Sequence, residues 1–395
     1  TVELPALTGI RFYAALAVFV SHVSLIPKME ELSAGYKVFD LGRLGVSFFF
    51  LLSGFILTFN YTDLFRREVS ANKYTQFVWS RFSKIYPVYF VTMLMAIPIQ
   101  IYSPNKPIDW RAVPIHTFLL QCWLPFSKPV FYNYLNVPSW SISCEWFFYL
   151  LAPVAMFCVL GTIRRRAVLL GITATYIAAL GLFLWHTQSD STSAYFLNWF
   201  APTRFVDFLA GVFVARLFMA PRSDRLAALS VPAQIAGFAY LIAIILWGDR
   251  LPWPFHSEAI YMPGSALLVF GLAHSRGFFA AHLSHPWLRR LGLASFSFYM
   301  LHTPIMRALR GVYYFLGWET RTWTGFWLVT VAAFIVIQAA AFLMLYKFEL
   351  PVQKWLRSLR EQPTARAGIQ EILEPSRTSD NVPPPADSPV WQKLA

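Results

Sequence analysis

Blocks of about 20 predominantly apolar residues, the length that crosses a hydrocarbon core as a helix, recur along almost the whole chain. They fall near 6–26, 43–60, 85–103, 139–160, 166–186, 203–220, 232–248, 259–275, 293–315 and 323–347. The pattern predicts an all-α, polytopic membrane protein with about ten transmembrane helices. A further apolar stretch, 112–125, is short and bounded by Pro114 and Pro125, so it reads as a re-entrant or interfacial segment. Residues 1–350 then form one membrane domain. From 351 the pattern stops: Lys354, Arg357 and Arg360 continue a basic stem begun at Lys347, and a polar stretch with three consecutive prolines, Pro383 to Pro385, follows. That tail has too little apolar surface to pack and is expected to be disordered.

Charge sets the orientation. Only 13% of the 395 residues are charged and 57% are hydrophobic, against roughly a quarter charged in a soluble domain. The net charge of +13 comes from Lys and Arg in short connections, the pattern that orients membrane helices, and not from a basic face for nucleic acid. With ten spans and a cytoplasmic N-terminus, the inside loops carry Arg66, Arg67, Lys73, Arg81 and Lys84, then Arg164 to Arg166, then Arg216, Arg222 and Arg225, then Arg276, Arg289 and Arg290. The outside connection 187–202 carries a single charge, Asp190. Both termini are thus expected in the cytoplasm; counting 112–125 as a span would put the Arg164 run outside. Cys122, Cys144 and Cys158 lack disulfide or metal-ligand spacing, and no metal site is expected. The first block lacks a basic leader and a small-residue cleavage site and reads as a retained helix. No internal repeat of the kind found in transporters is visible.

Several blocks carry groups that hydrocarbon does not tolerate without a reason. In the first, Arg11 and His22 stand eleven positions apart, about 20° from a common helical face and about 16 Å along the axis. Ala14, Ala15 and Val18 between them are small enough to suggest a groove. The second block has Ser53 and Gly54 near its middle, and Gly54 permits close approach of a backbone or a ligand. The third opens with Arg81 and Lys84, which share a face at i and i+3 and suit either a membrane anchor or a phosphate clamp. In the fourth, Ser141 and Glu145 share a face just inside the outer end. Arg204 and Asp207 in the sixth most simply neutralise each other. The ninth carries Ser295, Tyr299 and His302, followed by Pro304, which cannot donate to the carbonyl of Met300.

These residues carry a resemblance. Leu7-Thr8-Gly9-Ile10-Arg11 through His22, Gly45 through Ser53-Gly54-Phe55, Trp140-Ser-Ile-Ser-Cys-Glu145 and Tyr299-Met-Leu-His302-Thr-Pro304 stand in the order of the motifs of the membrane acyltransferase-3 family. The resemblance covers residues 5 to about 347. At one point the chain departs: where the family usually has Arg-x-x-Arg, here Arg81 is followed by Lys84, which keeps the charge and loses the bidentate fork. The resemblance implies a membrane O-acyltransferase of the bacterial cytoplasmic membrane, with acetyl-CoA or another acyl-CoA as donor substrate and no permanently bound cofactor. It implies a glycan or lipid-linked oligosaccharide acceptor, or a small secondary metabolite, and separate polysaccharide-assembly proteins as partners beside the bilayer itself. On that reading Arg11, Arg81 and Lys84 bind the donor, and His22 acts as general base or is itself acylated. Glu145 orients His22 or holds the acceptor, and Ser53, Gly54, Ser141, Tyr299 and His302 line the pocket. The rival from the residues alone is a proton-coupled transporter or flippase with Arg11, His22 and Glu145 as its relay. A catalytically silent partner of polysaccharide machinery is the third reading.

Overall fold

The computed structural model describes residues 3–23, 41–101, 109–124, 134–187, 191–220, 223–251, 258–316 and 323–360. Helices stand at all ten positions where the apolar blocks predict them: α1 Pro5–Ser21, α2 Leu41–Phe65, α3 Ala71–Ile101, α4 Trp140–Leu160, α5 Ile163–Thr187, α6 Ala201–Phe218, α7 Ser230–Trp247, α8 Met262–Ala273, α9 Pro286–Phe315 and α10 Trp323–Met344. There is no strand among the described residues. The fold is all-α and the protein is polytopic.

Not all ten helices are by themselves long and apolar enough to cross a bilayer. Six meet that description (α2, α3, α4, α5, α7 and α10), and a seventh does if α8 and the short helix Gly277–Leu283, bent by 81°, count as one broken span. The three that fall short do so for identifiable reasons. α1 ends after 17 residues, and α6 and α9 carry Arg204, Asp207 and Arg216, and Arg289, Arg290, Arg307 and Arg310, within their length. The 112–125 stretch contains a short helix, Ala112–Thr117.

Apolarity locates helices but misplaces their ends. α3 begins at Ala71 rather than near 85, because Lys, Gln, Trp and Arg are acceptable helix formers and nothing in 71–84 stops the winding. Arg81 and Lys84 therefore sit several turns inside a helix and not at its opening edge. α1, by contrast, stops at Ser21, short of the expected Ile26. The His22 N–H turns back to the Phe19 carbonyl, and the Val18 carbonyl, left without its i+4 partner, accepts from Ser21 Oγ at 2.7 Å and His22 Nδ1 at 2.8 Å. Of the three small residues expected to leave a groove, Ala15 and Val18 pack into the apolar core, and Ala14 lines an apolar cavity of about 340 Å³ with Gly45 of α2, whose missing Cβ would lie 2.5 Å from the Ala14 carbonyl oxygen.

Three apolar clusters hold the bundle: one chiefly among α2, α3, α4 and α6, joined by Val18 of α1 and Tyr299 and Met300 of α9, a second chiefly among α1, α2 and α8, joined by Ala215 of α6 and Leu241 of α7, and a third among α1, α9 and α10. α1 and α2 belong to more than one of them. α5 is the opposite case, with almost all of its span uncovered. The ion pair expected on α6 forms at 2.6 Å between Arg204 and Asp207, and Glu258 joins it at 3.3 Å. All three are buried, so this cluster is part of the packing. Contacts divide the chain into Thr1–Gln353 and Lys354–Ala395. Of the second unit residues 354–360 are described, and the expected disordered tail lies outside the described residues.

Candidate functional site

A cavity of about 170 Å³ opens within the first unit, lined by residues of α1, α2, α3, α4 and α9. Its polar lining gathers Arg11, Ser53, Arg81, Lys84, Ser141, Glu145, Tyr149, Ser295 and Tyr299, from five helices that lie up to 288 positions apart in the chain. Ser53, at the middle of α2, reaches it. Gly54 does not. Its missing side chain faces α6, where a Cβ would lie 2.0 Å from the Phe208 carbonyl oxygen. Gly54 thus belongs to a helix crossing and not to the pocket.

The three cations of the cavity have different partners. Arg81 Nη2 donates to Tyr61 Oη at 3.0 Å and Ser80 Oγ at 3.1 Å, with its guanidinium 5.4 Å from the Tyr61 ring centre. Lys84 is paired at 2.6 Å with Glu349, a carboxylate the sequence reading passed over. Glu349 is 1% exposed and also accepts from Ser297 Oγ at 2.6 Å. It closes a π-helical turn, Leu345–Glu349, that follows α10. Single π turns inside helices occur often at functional sites, and the signal available in the sequence was only an acidic residue at the end of an apolar run. Arg11 makes no ion pair with any carboxylate among the described residues. The nearby Glu145 is engaged instead by Tyr149, whose hydroxyl donates to it at 2.9 Å.

A second cavity, of about 220 Å³, adjoins the first and shares Arg11, Arg81, Ile56 and Leu57 with it. It is lined further by Glu3, Leu4, Thr8, Asn60 and Tyr61, and so lies at the N-terminal end of α1. Arg11 and Arg81 stand at the junction of the two. Their fixed positive charge in a partly desolvated space favours an anion, and an arginine fork suits phosphate or carboxylate.

His22 and His302 are not in the cavity lining. They meet each other beyond it, their ring centres 5.1 Å apart and nearly edge to face, with His302 Nε2 3.4 Å from His22 Nδ1. Tyr299, one turn before His302 on α9, links the two places. Its hydroxyl is 2.8 Å from Ser141 Oγ at the cavity wall, and both hydroxyls lie 3.0 Å from the Pro138 carbonyl. Its own carbonyl accepts from His302 Nδ1 at 2.6 Å. The Met300 carbonyl left open by Pro304 accepts from Asn136 Nδ2 at 2.9 Å, and Arg307 donates to the Leu135 carbonyl at 3.0 Å, which ties the segment before α4 across this end of α9. Polar groups thus run from the arginine junction through Lys84 and Glu145, past Ser141 and Tyr299, to the two histidines.

An acyltransferase-domain family model matches residues 4–346, the region that supplies the first cavity, all of the second cavity's lining but Glu3, and the histidine pair. The chain belongs to the membrane acyltransferase-3 family. It is 32% identical over 324 residues to the acyltransferase MdmB of Streptomyces mycarofaciens, an alignment covering 78% of this chain and 80% of that one. It is 25% identical over 326 residues to the O-acetyltransferase OatA of Staphylococcus aureus, covering 78% and 52%, and 22% identical over 326 residues to the peptidoglycan O-acetyltransferase OatA of Listeria monocytogenes, covering 77% and 49%. The chain spans about half the length of these two OatA relatives. No solved structure matches it. As an acyltransferase of this family it is an enzyme, and the cavity with its neighbouring histidines is its candidate active site.

Proposed function

We propose that the protein is a membrane O-acyltransferase that moves an acetyl group from acetyl-CoA to a hydroxyl of an extracytoplasmic or lipid-linked glycan. The observation that carries this reading is the cationic cavity: Arg11, without a carboxylate ion pair among the described residues, shares its lining with Arg81 and Lys84, and the wall residue Tyr299 is hydrogen-bonded through its carbonyl to His302 of the histidine pair. A nucleotide donor supplies the anion that such a space favours. The basic residues Arg66 and Arg67 after α2 and Arg164 to Arg166 at the start of α5 favour the N-terminal end of α1 on the cytoplasmic side, so the donor enters there, with its phosphates near Arg81 and Arg11 and its pantetheine arm directed along the line of polar groups.

At the far end of that path His22 Nε2 takes the proton of the acceptor hydroxyl. The thioester carbon–sulfur bond breaks, a carbon–oxygen bond forms, and the proton passes to the departing thiolate, giving the ester and free CoA. The acyl group moves directly, or in two steps: Nε2 first displaces the thiolate and carries the acyl group, and the acceptor oxygen then takes it as the carbon–nitrogen bond breaks and the hydroxyl proton passes by way of the histidine to the thiolate. Glu145 and Tyr149 lie on the donor side of Tyr299 and position the arm of the donor. The names of the OatA relatives support O-acetylation, and the Listeria name supports a glycan acceptor.

Calorimetry with acetyl-CoA on detergent-purified protein, and release of free CoA with membranes supplying the acceptor, test the assignment together. Arg11→Ala is expected to weaken donor binding by about ten- to a hundredfold, the loss of a charge-assisted contact of roughly 1.5–3 kcal/mol. His22→Ala is expected to bind the donor and transfer nothing. Donor affinity unchanged in Arg11→Ala removes the cavity from the donor path. Surface glycans with identical O-acetyl content in cells with and without the protein rule out the glycan acceptor.

A further inference from the structure

The two histidines form a directed chain of hydrogen bonds. His302 is fully buried, and its Nδ1 lies 2.6 Å from the Tyr299 carbonyl. A carbonyl oxygen only accepts, so Nδ1 carries the hydrogen and, in the neutral ring, Nε2 carries the lone pair. That lone pair points at His22 Nδ1, 3.4 Å away. His22 Nδ1 in turn lies 2.8 Å from the Val18 carbonyl, which again requires the hydrogen on Nδ1. Ser21 Oγ, 3.3 Å from the same nitrogen, donates its own hydrogen to Val18 and presents oxygen lone pairs to the ring. Every partner on this side of His22 is therefore an acceptor. The only arrangement that satisfies all of them runs from His22 Nδ1–H to Val18 and His302 Nε2, and from His302 Nδ1–H to Tyr299.

We propose that His302 is a positioning residue that, through its Nε2 lone pair, holds His22 with Nδ1–H turned inward and Nε2 turned to the reacting groups. The inference rests on His22 being the base of the transfer reaction. The Val18 carbonyl alone is a weak guide, because it lies at the last turn of α1, where helix ends loosen. The edge-to-face contact at 5.1 Å supplies the second wall that stops the ring from flipping. When Nε2 takes a proton, the Nδ1–H remains bonded to two acceptors, which stabilises the imidazolium as the orienting third member of a nucleophile–base–acid group does. In this chain the orienting group is a neutral histidine, held by a main-chain carbonyl, in place of a carboxylate.

Two substitutions separate positioning from packing. Gln at 302 can place an amide oxygen near the position of Nε2, whereas Asn can reach the Tyr299 carbonyl and stops short of His22. With ring-¹⁵N histidine in the full-length protein in detergent, and the His22 signals identified by their loss in His22→Gln, the parent is expected to show His22 and His302 both as Nδ1–H tautomers. His302→Asn is expected to leave His22 as a mixture of tautomers and to slow CoA release by about 10–100-fold at unchanged acetyl-CoA affinity; His302→Gln is expected to keep the tautomer and most of the rate. An Nε2–H tautomer at either histidine in the parent overturns the proposal without any variant. So do equal rates for His302→Asn and His302→Gln, or an unmixed His22 tautomer in His302→Asn. A parent that shows both Nδ1–H tautomers but transfers no acyl group contradicts the catalytic reading and leaves the tautomer assignment standing, so the two failures are distinguishable.

Discussion

Replacing Glu349 by Gln is expected to destabilise the bundle, and replacing Lys84 by Met to destabilise it more. The pair is short, 2.6 Å, and its two ends differ in burial: the Glu349 side chain is 1% exposed, that of Lys84 31% because it opens into the cavity. Removing one partner of a fully buried pair costs roughly 3–5 kcal/mol, since the other charge is left without compensation. Glu349→Gln strands the more exposed partner, which the cavity can partly solvate, and the amide still accepts from Ser297; about 2 kcal/mol is expected. Lys84→Met takes away the ion pair of the carboxylate and leaves it the Ser297 hydroxyl as hydrogen-bond donor among the described residues, and the cost rises to the full buried figure of about 3–5 kcal/mol. The double variant removes both charges and leaves neither stranded, so a double-mutant cycle is expected to show a coupling of about 2 kcal/mol. Unfolding of the detergent-solubilised proteins, followed by tryptophan fluorescence, supplies the three differences. Additive single effects, or a milder loss in Lys84→Met than in Glu349→Gln, refute the burial argument.

Other consequences are simpler. Gly54→Ala places a Cβ 2.0 Å from the Phe208 carbonyl oxygen and forces α2 and α6 apart; a loss of about 1–3 kcal/mol is expected, visible as a lower unfolding midpoint, whereas Ser53→Ala, one residue away on the cavity side, leaves the midpoint near that of the parent. Asn136→Ala leaves the Met300 carbonyl beneath Pro304 without its donor and is expected to cost about 1–3 kcal/mol in the same assay; an unchanged midpoint would mean that the carbonyl finds another partner. Arg165→Cys is expected to resist labelling by an impermeant thiol reagent applied outside intact cells, and labelling there would overturn the orientation drawn from the basic loops.

Much of the site was legible as residues and little of it as geometry. Arg11, Ser53, Arg81, Lys84, Ser141, Glu145 and Tyr299 stood out because polar groups in apolar blocks need a reason, and the structure gathers them around one cavity. Gly54 stood out for an equally physical reason and serves a different purpose: close approach is what a glycine permits, and here another backbone uses it. Glu349 is not legible in the sequence because its meaning lies in Lys84, 265 positions earlier in the chain, and no local pattern announces that pairing.

The sequence by itself determined where the helices lie and which of them carry cations, because apolar length acts locally along the chain. It also determined that Pro304 leaves the Met300 carbonyl open. Only the tertiary structure decided that Asn136 fills that opening, that Lys84 pairs with Glu349 whereas Arg11 has no carboxylate ion pair among the described residues, that α1 ends at Ser21, and that His22 faces His302 rather than the cavity. Each of these depends on which face of one helix meets which face of another. That is settled by packing among residues far apart in the chain, where single contacts a few ångströms long select one partner from several of the same chemical type.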